Sequence, residues 1–179
     1  MDQETIKRFY LAFAPLLEYP TQDLAQQAQD CSQLLTRNNS PAVDVLEGFS
    51  RFVEQTPLSQ IEELFTTTFD LQAICYPYVG YHLFGESHKR GMFMAKLNEK
   101  YQETGFTAGK ELPDHVSVVL RFLAVTNESD FCQTLIVEGL VPTLVKMSQV
   151  LSEGQENPYA SVIKALFLLL EGQMERERL

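Results

Sequence analysis

The 179-residue chain is long enough to close one hydrophobic core without disulfide or metal staples, and its 45% hydrophobic and 21% charged residues place it away from disordered compositions. With 14 basic and 24 acidic residues its formal charge is −10, a field that repels phosphate backbones and attracts basic ligands, which argues against nucleic acid as a partner. No wholly apolar run approaches the roughly 18 residues of a membrane span, the acidic start Met1-Asp-Gln-Glu does not read as an export signal, and the scattered Cys31, Cys75 and Cys132 fit neither a disulfide framework nor a zinc cluster, so one domain over 1–179 in a reducing cytoplasm is expected.

In chain order, Phe9, Tyr10, Phe13, Leu16 and Leu17 recur at helical spacing ahead of Tyr19-Pro20 and predict a helix over 4–18. A second helix opens near Thr21 with Asp23 in its first turn, carries Leu24, Ala28, Cys31, Leu34 and Leu35 on one face, and ends in Asn38-Asn39. Ser40-Pro41 reads as an N-cap followed by proline at the first helical position, and Val45, Leu46, Phe49, Phe52 and Val53 follow before Pro57. Ser59 and Glu62 have the spacing of a capping box and predict a fourth helix through Phe69.

The aromatic stretch from Cys75 to Gly85 is broken by Pro77, Gly80 and Gly85 and is expected to be irregular or a broken helix. The pattern is helical again over 86–104, with Met92, Met94, Ala95 and Leu97 apolar, Glu99 and Lys100 facing water and Gly105 as a left-handed cap. Leu112-Pro113-Asp114 starts the next helix, whose stripe is Val116, Val119, Leu120 and Leu123. A long helix over 129–151 must kink or split at Pro142 and closes at Gly154, and Asn157-Pro158 launches a last one through Val162, Ile163, Leu166, Phe167 and Leu170 to a charged tail at Arg178. Nothing requires a strand and no repeat is visible, so the expected fold class is all-α, a compact helical bundle.

His82, His88 and His115 lack metal-ligand spacing, and no nucleophile elbow or phosphate-cradling loop is present, which disfavours an enzyme. Asp114-His115 reads either as an acid–base pair or as a carboxylate on the helix dipole beside a surface imidazole. Glu86-Ser-His-Lys-Arg-Gly91 is a binding edge or a solvated helix start. Tyr76, Tyr78, Tyr81 and Phe84 are either core or the rings of a groove, which beside acidic residues would take a segment with apolar anchors and Arg or Lys.

Phe69-Asp70, Tyr81-His-Leu-Phe-Gly-Glu-Ser-His-Lys-Arg-Gly91, Glu111-Leu-Pro-Asp-His115 leading into Leu120-Arg-Phe-Leu-Ala124, and Asn157-Pro-Tyr-Ala160 together resemble the TorD/DmsD/NarJ family of molybdoenzyme chaperones, on its nitrate reductase (NarJ) branch, over nearly the whole chain. That resemblance implies the family's all-helical fold and a non-catalytic cytoplasmic chaperone. Its partner would be the N-terminal segment of an apo molybdoenzyme catalytic subunit, held for molybdenum cofactor insertion before membrane docking or export. Molybdenum cofactor biosynthesis proteins are further candidate partners, and the chain itself is expected to need no cofactor or metal. Carried over by motif, Asp114 and His115 correspond to the peptide-binding pair, Glu111 and Pro113 frame it, and Tyr81, Glu86 and Arg90 match less specific positions. The alternatives are a twin-arginine leader-binding chaperone for a DMSO or TMAO reductase type of enzyme, an enzyme built on Asp114 and His115, a nucleotide-binding regulator, and a helical adaptor. A monomer is expected, with helix exchange the route to a dimer.

Overall fold

Asp2 opens the first helix: its carboxylate accepts from the Thr5 amide at 2.8 Å and from the Thr5 hydroxyl at 3.0 Å, satisfying one of the donors a helix start leaves unpaired. In the computed structural model, which describes residues 2–38, 40–153 and 156–177, this helix is α1 (Gln3–Phe13). The expected features at Asn39, Gly154 and Arg178 lie outside the described residues. Pro15 offers no amide to the preceding turn, so the chain tightens into a 3-10 turn, Ala14–Leu17, where one α-helix to residue 18 was expected.

The next three helices are α2 (Leu24–Arg37), α3 (Val43–Gln55) and α4 (Leu58–Phe69). All three of their start signals act differently from expectation. Asp23 stands before α2 and not in its first turn, its amide donating to the Thr21 hydroxyl at 3.3 Å. Ser40 caps a turn instead of a helix, its hydroxyl accepting from the Ala42 amide at 3.3 Å and its carbonyl from Val43 at 3.2 Å, so α3 begins two residues beyond Pro41. Pro57, at φ −57° and ψ 141°, is itself the last non-helical residue before α4. Its carbonyl takes the amides of Gln60 and Ile61, Ser59 lies inside the helix, and no Ser59–Glu62 capping box forms.

After the aromatic stretch come α5 (Val79–Phe84), α6 (His88–Glu103) and α7 (Val116–Val125). Gly105, at φ 70°, follows α6 as the left-handed residue that glycine tolerates best. α6 buries Leu97 and Tyr101, whereas Met92 and Ala95 face solvent. Lys100, expected in water, is pinned between Glu103 at 2.6 Å and Glu128 at 3.0 Å.

The long helix is one rod of three parts: α8 (Ser129–Thr134), a π-helical stretch Leu135–Leu140, and α9 (Val141–Ser152). Pro142 has no amide to give, and just ahead of it the ladder widens, the Val141 amide reaching the Ile136 carbonyl. The expected break is therefore a change of helical pitch. By length and composition the 129–152 rod could cross a membrane, but it lies along α10 (Tyr159–Glu177) and sends Leu140, Leu144, Met147 and Leu151 into the core. Asn157 starts α10 as expected, accepting from the Tyr159 amide at 3.0 Å.

α1 packs on α7 and α2, α2 on α3, and α3 on α10, while α5 rests on α6 and α9. Tyr159 sits among Phe49, Phe65 and Phe69 with ring centroids 5.0–5.8 Å apart, contacts that each add about 0.5–1.5 kcal/mol beyond area burial. Cys31 is a buried core residue, as its helical face implied. Among the described residues there is no strand, only one antiparallel bridge between Tyr78 and His115, and that bridge frames the site.

Candidate functional site

Proline holds the residue before it away from helical geometry unless a preceding helix adjusts to it, and the chain enters α5 through Pro77 and α7 through Pro113. Two hydrogen bonds join these approaches. The Val79 amide donates to the Asp114 carbonyl at 2.8 Å, and the Val116 amide donates to the Pro77 carbonyl at 2.9 Å. The starts of α5 and α7 are thereby fixed to each other, with Tyr78 and His115 side by side. Buried Pro113 adds a third tie, its carbonyl accepting from the Tyr101 hydroxyl at 2.7 Å.

Asp114 is fully buried. Arg90 reaches it from the first turn of α6 as a fork, Nε to Oδ2 at 2.9 Å and Nη2 to Oδ1 at 3.3 Å. The hydrogen-bonded carboxylate raises the pKa of the guanidinium and keeps it charged in a place where only 14% of the side chain meets solvent. Gly80 leaves the room for this: a Cβ there would lie 2.7 Å from Asp114 Oδ2 and 3.0 Å from both Arg90 Cγ and Phe93 Cδ1. The guanidinium also stands over the Tyr78 ring, 5.1 Å from its centroid.

The Tyr78 hydroxyl donates to Glu111 Oε1 at 3.3 Å, and the same oxygen accepts from the Leu112 amide at 2.9 Å. Burial, and then the Glu111 charge, push the Tyr78 phenol up to about 12. His115 packs edge-to-face on Tyr78 at 5.3 Å. Its Nδ1 accepts from the Ser117 amide at 3.1 Å and lies 2.8 Å from the Ser117 hydroxyl, so the proton of the neutral ring belongs on Nε2. Burial lowers the His115 pKa, while Glu111, Glu18 and Asp114 oppose that shift.

These contacts correct both readings of the Asp114-His115 pair. The two neighbours turn apart, Asp114 to Arg90 and His115 to Ser117, so they do not form an acid–base pair. α7 begins at Val116 with buried His115 as its N-cap, so Asp114 is not a first-turn carboxylate and His115 is not a surface residue.

Beside this cluster lies a groove of about 310 Å³. Tyr19, Phe65, Phe69, Tyr78 and Phe106 line it as rings, and Glu18, Asp70 and Glu111 bring carboxylates to its wall. Arg121, which also lines it, is held by Glu18 at 2.8 and 2.9 Å. The surroundings are aromatic and acidic, suited to a chain carrying apolar and basic side chains.

Glu111, Pro113, Asp114, His115 and Arg90 thus converge. Tyr81 does not join them: it packs on Tyr76 with centroids 4.5 Å apart. Glu86 is exposed and acts on Arg90 through its charge alone. The rings expected to share a groove are also divided, since Tyr78 lines the acidic one and Phe84 a separate apolar cavity of about 250 Å³ with Phe93, Leu97 and Phe131. In the Glu86–Gly91 stretch, residues 86–89 are solvated and only Arg90 turns inward.

Sequence reasoning missed Gly80 as a spacer, Ser117, and the Glu18–Arg121 pair. Gly80 read only as a helix breaker, and Glu18 and Arg121 are 103 positions apart, with nothing local to link them. Among the described residues no group of three or more His, Cys, Asp and Glu is placed to hold a metal ion.

The family model described as nitrate reductase delta subunit matches residues 36–163. A Bacillus subtilis protein described as a nitrate reductase molybdenum cofactor assembly chaperone, NarJ, is 27% identical over 171 residues, covering 94% of this chain and 91% of that one. The Escherichia coli K12 chaperone of the same description is 27% identical over 167 residues, covering 91% and 70%. A crystal structure described as a redox enzyme maturation protein from Archaeoglobus fulgidus superposes with a TM-score of 0.62 at 21% identity, covering 96% of this chain and 94% of that one, which shows a shared helical fold.

Proposed function

Because the chain belongs to the nitrate reductase delta subunit family, we propose that it is a cytoplasmic chaperone for the apo catalytic subunit of a nitrate reductase-type molybdoenzyme, and not itself a catalyst. It grips that subunit's N-terminal segment and holds it while the molybdenum cofactor is inserted. The cofactor is the client's, and the chaperone works as a single domain that binds polypeptide.

The observation that carries this reading is the aromatic groove walled by Glu18, Asp70 and Glu111 and edged by Tyr78 and His115. A segment with apolar anchors would bury them against the rings, while its basic side chains would meet carboxylates at partly solvated positions. Such an interface steers association by charge and weakens as salt screens it. Asp114, Arg90 and Pro113 serve from behind, fixing Tyr78 and His115 in the wall.

Calorimetric titration with the N-terminal peptide of the client, at low and at moderate salt, tests the proposal. Binding that weakens with salt is expected, and the double variant Asp70→Asn/Glu111→Gln should lose several-fold in affinity with a shallower salt dependence. Absence of binding at either salt concentration, or a double variant that binds as wild type does, overturns it.

A further inference from the structure

The end of α4 is covered by a loop that folds back on it. The amides of Leu71, Ile74 and Cys75 donate to the carbonyls of Thr66, Thr67 and Thr68 at 3.1, 3.2 and 2.8 Å, with Gln72 turning through φ 51°. This puts Asp70 in the wall of the groove already described and Ile74 in the wall of a second groove of about 350 Å³. Phe65 and Phe69 line the first and Leu64 and Thr67 the second, so the two grooves flank one helix. Apolar side chains stand open around the crossing: Leu71 is 71% exposed, Tyr19 54% and Ile74 51%.

The second groove is acidic and apolar like the first, with aliphatic side chains in place of rings. Its apolar floor is Leu64, Val150 and Leu151, its carboxylates are Glu63, Glu153 and Glu156, and none of its described lining residues is basic. Exposed apolar groups rimmed by charge mark a contact surface. An acidic partner would be repelled by both grooves, and so would a second copy of this chain, with its own formal charge of −10. A basic amphipathic segment suits both at once.

Resting on the proposed chaperone reading, we infer that one basic amphipathic segment of the client crosses the end of α4 and seats a second set of apolar and basic side chains in the Glu63–Glu153–Glu156 groove. Leu71 and Ile74 form the saddle that it crosses. A helix with its side chains is about 10–12 Å wide and an extended residue spans about 3.3–3.6 Å, so the crossing takes about three residues. With about four residues in each groove, the segment recognised is about eleven residues long.

The test is calorimetry on the full chain with three synthetic peptides of about fourteen residues: one amphipathic with Arg in both halves, and two in which the Arg of one half or the other is Gln. The doubly basic peptide should bind wild type about tenfold tighter than either partner peptide. Glu63→Gln combined with Glu153→Gln and Glu156→Gln, all on the surface, should bring it down to their level while leaving unaffected the half-basic peptide whose Arg side chains sit in the first groove. Circular dichroism checks that the variant keeps its helices, and Ile74→Ser alone, at the saddle, should weaken all three peptides alike. If the variant binds all three peptides as wild type does, the two-groove inference falls and the first groove stands. If wild type binds none of them, the peptide-binding reading falls with it.

Discussion

Arg90 grips Asp114 and Arg121 grips Glu18 with nearly the same two-point geometry, at 2.9 and 3.3 Å and at 2.8 and 2.9 Å, yet they sit in different media. The Asp114 carboxylate is wholly out of water, whereas both side chains of the second pair are more than a third exposed. Out of water, removing one partner strands an uncompensated charge. At the surface, the survivor is solvated and the pair is worth about 0–1 kcal/mol. The first fork therefore fixes where Tyr78 and His115 stand, and the second is a piece of groove wall that can exchange partners.

The buried side of this contrast breaks most readily at Asp114. Asp114→Ala leaves the Arg90 guanidinium without its carboxylate and should cost about 3–5 kcal/mol in urea unfolding, with client-peptide binding lost as the wall loosens. A cost under about 1 kcal/mol would mean that Arg90 swings out to water and that the fork holds nothing in place. Gly80→Ala comes next. The added Cβ would stand 2.7 Å from Asp114 Oδ2, closer than atoms tolerate, so the fork must shift, and the expected loss is about 1–3 kcal/mol.

Much of this was legible in the sequence, and what was not has physical reasons. The buried faces of the helices follow from apolar spacing, and Asn157-Pro158 was read correctly as a start because its side-chain oxygen serves the Tyr159 amide directly. The starts near Ser40 and Ser59 were misplaced because a hydroxyl can close a turn as readily as cap a helix, and because Pro57 took the flanking position itself. At the site, the Glu111–His115 motif marked residues that the fold brings together with Tyr78 and Arg90 beside one groove. It could not say that Asp114 and His115 face different partners, since adjacent residues outside a helix share no face. Lys100 was read as solvated because one of its two partners, Glu128, comes only after α7 in the chain.

The imidazoles sharpen the contrast through pH. Burial lowers His115 below its ordinary 6.5, and burial followed by the Lys146 charge lowers His82, against the hydrogen bond to the Tyr76 carbonyl. The unfolded chain therefore binds more protons than the folded one as pH falls through about 6.5, and stability present above that value is lost below it. The urea midpoint should drop between about pH 7.5 and 5.5. His115→Asn should flatten part of that drop, because its amide oxygen still accepts from the Ser117 amide without titrating. An unchanged pH profile in the variant would place the proton uptake elsewhere.

The exposed fork should give the smallest change in stability and the more informative change in binding. Arg121→Ala should move the unfolding free energy by less than about 1 kcal/mol, since Glu18 is left facing water. In the groove it frees a carboxylate that a basic client segment would otherwise have to take from Arg121. Affinity for the client peptide should therefore rise several-fold, and the salt dependence should steepen with the extra charge contact. Glu18→Gln should do the reverse, leaving Arg121 unpaired and repelling the peptide. If Arg121→Ala instead weakens binding as much as Glu18→Gln does, Arg121 itself touches the peptide, and the second fork is a fixed part of the site like the first.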